Sequence, residues 1–261
     1  MITALAREKY IRVKEWIDDK SILAPTLAYA VLDGYVDGEV YADSTEPNNV
    51  LIGTESGIYF VAGVGDNDLF NTHLVSLFKE RKQNGSRFTL FSASQQWDEV
   101  LQKELRDEIK LMKRYHFTFN SQREPNTRDL PAGYTLQQIN QTTIQQSSEF
   151  DEAYYKEYWS SMSNFLENGF GYCIVYDGKV ICECTSIFAS DKYAEIDIVT
   201  DEEHRGKGLA AIAAEAFILH CQESGRTPRW DCFVSNTASI RMAEKMDFEN
   251  PLEYSIIVKN V

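Results

Sequence analysis

The stretch DIVTDEEHRGKGLAAIAAEAF, Asp197 to Phe217, constrains the fold more than any other part of the chain. A β-branched run leads through an acidic loop into two glycines flanking a lysine, then into an alanine-rich helical pattern. A strand must therefore turn into a helix across a glycine hinge. Upstream, YCIVYDG, KVICECTSIFA and YAEIDIVT read as three successive strands, the first two joined by Asp177-Gly178, a dipeptide suited to a two-residue hairpin turn. A strand at YTLQQI and helical patterns up to about Gly169 precede them. A helix from Gly208 to about Ser224, a strand at RWDCFV, a helix at TASIRMAEKM and a last strand at EYSIIVKN follow. An antiparallel meander that runs directly into a strand-helix-strand crossover is expected.

The polar, turn-rich stretch NSQREPNTRDLPAG, Asn120 to Gly133, separates this half from the first and is the expected boundary. The first half opens with a helix whose Leu5, Ile11, Trp16 and Ile17 are expected to line one stripe. Short strands follow at GEVYAD and in the hairpin NVLIGTESGIYFVAG. Helices are expected at DLFNTHLVSLFKERKQNG and QQWDEVLQKELRDEIK, with RFTLFSA as the strand between them. No motif in this half has a chemistry that can be named.

Composition narrows the function classes. Residues 131–261 carry 20 acidic side chains against 10 Lys and Arg, within a net charge of −14. That balance argues against a nucleic-acid partner, whose phosphates bind through Lys and Arg, and favours a cationic ligand. No apolar run approaches the roughly 20 residues that span a bilayer, and the charged N-terminus is unlike a signal peptide, so a soluble, cytoplasmic protein without membrane partners is expected. Five cysteines, odd in number and without a CxxC pair, support neither a disulfide framework nor a metal site and read as buried thiols. Cys182 and Cys184 share one strand face but lack a second pair of ligands.

The glycine turn is built for an anion, and several phosphate chemistries compete for it. Gly208 follows Lys207 where a Walker A loop needs Ser or Thr, so nucleotide triphosphate hydrolysis is excluded. Gly206 to Ala211 does meet the dinucleotide pattern GxGxxG/A, with Asp231 as a ribose-binding carboxylate, and a nicotinamide-dependent oxidoreductase is the rival reading. Asp201 to Arg205 intervene between strand and glycine, however, and only 53 residues remain after Gly208, too few for the other strands of that fold. The alternative is a helix N-terminus whose N–H groups face a pyrophosphate while Arg205 adds positive charge.

Arg205-Gly206-Lys207-Gly208-Leu209-Ala210 meets the signature Q/R-x-x-G-x-G/A, and Asn236 to Phe248, NTASIRMAEKMDF, is similar to the segment that follows it in the GNAT superfamily of acetyltransferases. Over about residues 131–261 the chain resembles that superfamily, and within it the subgroup of zwittermicin-resistance-type acetyltransferases. The resemblance implies an α+β fold: a C-terminal GNAT-like mixed sheet with an N-terminal α/β-mixed domain. With the boundary at the turn-rich stretch, residues 1–125 are expected to form an α+β domain that helps wall the acceptor site, and residues 131–261 the acetyl-CoA-binding catalytic domain that the resemblance implies. The implied activity is direct transfer of acetyl from acetyl-CoA, as co-substrate, to a small-molecule amine; a homodimer is compatible with it.

The resemblance also implies roles for residues. Backbone of Ile198, Val199 and Thr200 would hold the pantetheine and meet developing oxyanion charge. Arg205, Gly206, Lys207, Gly208, Leu209 and Ala210 would hold the pyrophosphate, and Asn236 would contact the cofactor arm, although a helix cap competes for that residue. Glu195 and Asp197 alternate with Ile196 and Ile198, so both carboxylates share one face as catalytic bases or as holders of a cationic acceptor; Glu183, between Cys182 and Cys184, is a third candidate. The tyrosine that usually protonates the leaving thiolate falls at Ala243, and Tyr154, Tyr155, Tyr158, Tyr172 and Tyr176 are not ranked as its replacement. A non-catalytic acyl-CoA-binding or sensing protein is therefore the second reading.

Overall fold

A computed structural model describes residues 2, 4–123 and 128–260. Residues 124–127 of the turn-rich stretch lie outside that description. The chain forms two compact units, Met1–Tyr115 with Leu252–Val261, and His116–Pro251. The divisions fall inside two strands rather than in a linker.

The first unit begins with helix α1 (Tyr10–Asp19) and helix α2 (Thr26–Leu32). The buried stripe of α1 is Tyr10, Val13 and Ile17, at the i, i+3, i+7 spacing of one helix face, and Ile11, expected in that stripe, is 55% exposed. Every residue of α2, TLAYAVL, is buried, so no polar face marks it as a helix in the sequence. Strands β1 (Gly38–Ala42), β2 (Asn49–Thr54) and β3 (Ile58–Gly63) form an antiparallel meander. Helix α3 (Asp68–Gln83) then crosses to β4 (Thr89–Ser92), which pairs parallel with β3. Helix α4 (Gln95–Leu105) follows. Its expected continuation through Lys110 is broken at Arg106, which takes φ 47, and β5 (Ile109–Phe119) begins instead. The core gathers Phe70, Leu74, Phe78, Phe88, Trp97 and Leu101 under the sheet.

The second unit opens with β6 (Tyr134–Gln138), followed by three short helices, α5 (Gln141–Gln146), α6 (Glu152–Trp159) and α7 (Met162–Asn168). Side chains of Asn140, Asp151 and Ser161 cap their N-termini. Strands β7 (Gly171–Tyr176), β8 (Lys179–Ala189) and β9 (Tyr193–Thr200) extend the antiparallel sheet in the order β6-β7-β8-β9. Asp177 and Gly178 both take positive φ, 48 and 72, as the hairpin between β7 and β8 requires. Helix α8 (Leu209–Glu223) crosses over to β10 (Thr227–Phe233), parallel to β9. Helix α9 (Thr237–Lys245) and β11 (Phe248–Lys259) complete the chain. β11 is longer than expected, and its second part, Ser255 to Val258, pairs with β4 of the first unit's own sheet.

Side chains sort by face. Cys182 and Cys184 share a face of β8 with Thr200 of β9, whose hydroxyl donates to Cys182 Sγ at 3.2 Å. α8 packs on that face, with Phe217 stacked on Phe170 and Tyr172 meeting His220 Nδ1 at 3.1 Å. The opposite face carries Glu183 and Thr185 and is covered by α6, where Tyr155 meets the Thr185 hydroxyl at 3.2 Å. All five cysteines are buried free thiols, and burial pushes Cys182 up to about 12. No helix among the described residues is long and apolar enough to cross a membrane.

Candidate active site

β9 and β10 pair only over Tyr193–Thr227, Ala194–Pro228 and Glu195–Arg229. Beyond them the two strands continue without pairing to each other, β9 through Thr200 and β10 through Phe233. A fork results. β9 stays paired with β8 to Thr200, so alternate N–H and C=O groups of Ile196 to Thr200 face the side that β10 has left. Ile198 and Val199 are half-exposed despite being apolar, whereas Ala194 and Ile196 are buried. An extended ligand laid in the fork would cover them and bond to the strand edge.

At the end of β9, Asp201 caps a single helical turn, Glu202–His204, and the glycine hinge follows. Gly206 and Gly208 take φ 78 and 80, and a Cβ on either would meet nothing within 4 Å, so conformation rather than crowding demands glycine and space lies open in front of both. α8 starts without a side-chain cap. Ala211 and Ile212 are the first amides to bond back, both to Gly208 O, which leaves the N–H groups of Leu209 and Ala210 facing out of the helix start. The side chain of Leu209 is buried, so only its backbone is offered.

The basic side chains here are braced. Arg205 Nε donates to Thr200 O at 3.1 Å and Nη1 lies 3.4 Å from Glu202, which folds the guanidinium back over the end of β9. Lys207 Nζ donates to Tyr134 Oη at 3.1 Å and to Glu203 O at 3.4 Å. Asn236 accepts from Ser239 N through its side-chain oxygen and caps α9, so that oxygen is committed. Ala243 is fully buried in α9, and no hydroxyl is offered from that position.

The three carboxylates share a face. Glu183 pairs with Val199 and Thr185 with Asp197, and Glu195 lies across from Phe188, where β8 bulges between Ser186 and Phe188. Glu195 occupies the last paired position of the fork and is buried, with Arg229 directly across the register. Asp197 stands just beyond the fork, half-buried, and accepts from Tyr154 Oη at 2.9 Å. Burial and then the Asp197 charge hold the Tyr154 hydroxyl well above its ordinary range, so it stays a donor. Glu183 is 3% exposed; its Oε2 accepts from Ser147 Oγ at 2.6 Å, and its Oε1 has no hydrogen-bond partner. Burial, reinforced by Glu149 against the Ser147 hydrogen bond, pushes this carboxyl up to about 7.

One pair was missed by sequence reasoning. His116, on β5, places Nδ1 3.1 and 3.2 Å from the two oxygens of Asp231, on β10. Strand alternation puts Asp231 on the same face as Arg229 and therefore as Glu195 and Asp197. The partners lie 115 residues apart, and β5 itself was not expected, so no local pattern could have joined them.

A family model described as GNAT acetyltransferase matches residues 19–257. An uncharacterised N-acetyltransferase of Bacillus subtilis (strain 168), YdfB, is 42% identical over 257 residues, 98% of each chain. Among solved structures, a GCN5-related N-acetyltransferase-like protein from Streptococcus suis superposes with a TM-score of 0.71 at 23% identity, covering 97% of this chain and 99% of that one. A tandem GNAT protein from the clavulanic acid biosynthesis pathway gives 0.62 at 13% identity, covering 100% and 98%. These two likenesses are of fold.

Proposed function

As a member of the GNAT acetyltransferase family this chain is an N-acetyltransferase, and we propose that its acceptor is a small cationic amine taken up on the face that carries Glu195, Asp197 and Glu183. The observation that supports this most is the fork itself, which opens beside Asp197 and ends at an uncapped helix start. The earlier resemblance to zwittermicin-resistance-type enzymes agrees with an amine-bearing small molecule.

The residues fit acetyl-CoA, the family's co-substrate. The N–H groups of Leu209 and Ala210, freed by Gly206 and Gly208, would take the pyrophosphate, with the helix dipole adding on the order of 1 kcal/mol. Lys207 and Arg205 stand beside it, and the open edge of Ile198, Val199 and Thr200 would take the amide-bearing arm. Asn236, whose oxygen caps α9, has its amide nitrogen to offer the arm. Acetyl-CoA supplies an acetyl group already activated as a thioester. The chain must then supply a neutral amine and a donor for charge on the carbonyl oxygen. A β9 N–H beyond the fork serves the second need, and removal of such a donor elsewhere costs about 2.7–4 kcal/mol of barrier.

For the first need, Asp197 is the carboxylate placed past the fork. Tyr154 orients it, and the acid-lined face draws in an ammonium whose proton Asp197 accepts. Glu195 lies where the strands are still joined, and Glu183, latched to Ser147 with its carboxyl pushed up to about 7, carries only part of a charge near neutrality, so neither takes the proton transfer. The test is calorimetric titration with acetyl-CoA, followed by thiol-release assays over an amine panel. Micromolar binding with turnover of cationic amines is expected; no acetyl-CoA binding at high micromolar concentration removes the site. Buried Ala243 favours the second reading, acyl-CoA binding without turnover, which predicts binding but no thiol release with any amine.

A further inference from the structure

We propose that His116, held by Asp231, is the proton shuttle of the transfer: its Nε2 takes the N–H proton released as the new C–N bond forms and returns it to the departing sulfur. The inference rests on the acetyl-transfer reading above. Three observations carry it. Asp231 lies two residues past Arg229, the last β10 residue paired to β9, on the same face of β10 that Asp197 takes on β9, past the point where the strands part. Both Asp231 oxygens lie within hydrogen-bond distance of the same ring nitrogen, Nδ1, which fixes the proton there and leaves Nε2 as the basic atom. The pair is nearly closed off, with side chains 13% and 7% exposed, so the imidazole has one defined orientation.

The proton account requires such a group. Converting an ammonium to an amide releases two protons. Asp197 accepts the first, which makes the amine a nucleophile. The second leaves the nitrogen as the C–N bond forms, and the C–S bond then breaks with its electron pair on sulfur. A neutral imidazole accepts that second proton, becomes imidazolium while Asp231 balances the charge, and protonates the sulfur. Imidazole is thus restored and the thiol leaves neutral, without the tyrosine that the family places where this chain has buried Ala243. Nε2 is the catalytic atom, and Asp231 is a positioning residue.

Two experiments test this, one without acetyl-CoA. Nitrogen-15 NMR of the free protein is expected to show that the neutral form of the His116 ring carries its hydrogen on Nδ1 and leaves Nε2 bare, and Asp231→Asn to shift that tautomer; a wild-type neutral ring carrying its hydrogen on Nε2 overturns the proposal. In turnover assays His116→Ala should lower kcat about 100-fold or more with little change in acetyl-CoA affinity, and added imidazole should restore about tenfold. His116→Gln serves if the alanine variant does not fold. A folded variant within about threefold of wild-type kcat, or one that imidazole fails to rescue, overturns the shuttle. Wild-type protein that binds acetyl-CoA but acetylates no amine overturns the acetyl-transfer reading instead, and the shuttle with it.

Discussion

The two units wind the same way and differ at one corner. Each runs an antiparallel meander into a strand, crosses by a helix, and returns to a parallel partner: β3-α3-β4 in the first, β9-α8-β10 in the second. In the first, β3 and β4 pair through Val61–Ser92, and Ala93 N then closes onto Val61 O. In the second, pairing stops at Glu195–Arg229. α3 begins with Asn67, whose side chain accepts from both Leu69 N and Phe70 N, with Asp66 and Asp68 on either side. α8 begins with bare glycine. Gly63 precedes α3 because any Cβ there would strike Asn48 O, at 2.0 Å, whereas Gly206 and Gly208 face open space. The same topology therefore makes either a closed corner or an open cleft, and capping and strand separation decide which.

The crossover helices are also held differently. α3 buries Phe70, Leu74 and Phe78, all apolar. α8 carries Glu215, whose carboxylate takes both terminal nitrogens of Arg123 at 3.2 and 2.6 Å, while Arg123 Nε reaches Asp247 at 2.9 Å. Arg123 and Glu215 side chains are 3% and 6% exposed. Arg123→Ala removes the two-pronged partner of the buried Glu215 carboxylate, and breaking such a pair costs about 3–5 kcal/mol. Urea denaturation should show the largest loss of any change considered; a loss under about 1 kcal/mol would mean that α8, like α3, rests on its apolar face alone.

Next in size is Gly208→Glu. It forces a side chain into left-handed backbone and sets a carboxylate where the diphosphate would lie. Acetyl-CoA affinity should fall at least about 100-fold, near 3 kcal/mol, with the fold retained by circular dichroism. Unchanged affinity by calorimetry would dissolve the contrast between the two helix starts.

Much of this corner was readable from residues. The β-branched run, Asp177-Gly178, the glycine hinge and the alternation of Glu195 with Asp197 are local patterns, and local physics decides them. What escaped was set by partners distant in the chain. α2 has no polar face, β5 overlaps the expected end of α4 only at Ile109 and Lys110 and carries no strand signal of its own beyond, and the strand expected at EYSIIVKN finds its partner in β4, more than 150 residues away in sequence. His116 and Asp231 meet only because β5 exists. Asp247 takes φ 61, a left-handed conformation that aspartate tolerates, with its carboxylate on Arg123.

A third change separates charge from structure. Glu183 has a carboxyl pushed up to about 7 from 4.5, so between those values the folded chain binds more protons than the unfolded one. Stability from this group is therefore present at low pH and lost as pH rises through about 7. Glu183→Gln should match wild type near pH 5 and exceed it by on the order of 2–3 kcal/mol at pH 8. Equal denaturation midpoints at both pH values would place Glu183 in a wetter setting than its unpartnered Oε1 implies.

The smallest effect is the most discriminating. Asn67→Gly uncaps α3 and gives it the bare glycine start of α8, at a cost of a few tenths of a kcal/mol. If an exposed helix start were sufficient for an anion site, the first unit would now bind acetyl-CoA. The closed pairing of β3 with β4 and the flanking Asp66 and Asp68 predict that it does not. The measurement belongs in a Gly208→Glu background, where the second unit is silent and any calorimetric signal comes from the first. Recovery of micromolar binding would show that the cap alone separates the two units; silence would assign the difference to the fork, because only parted strands offer the arm of the ligand a backbone edge.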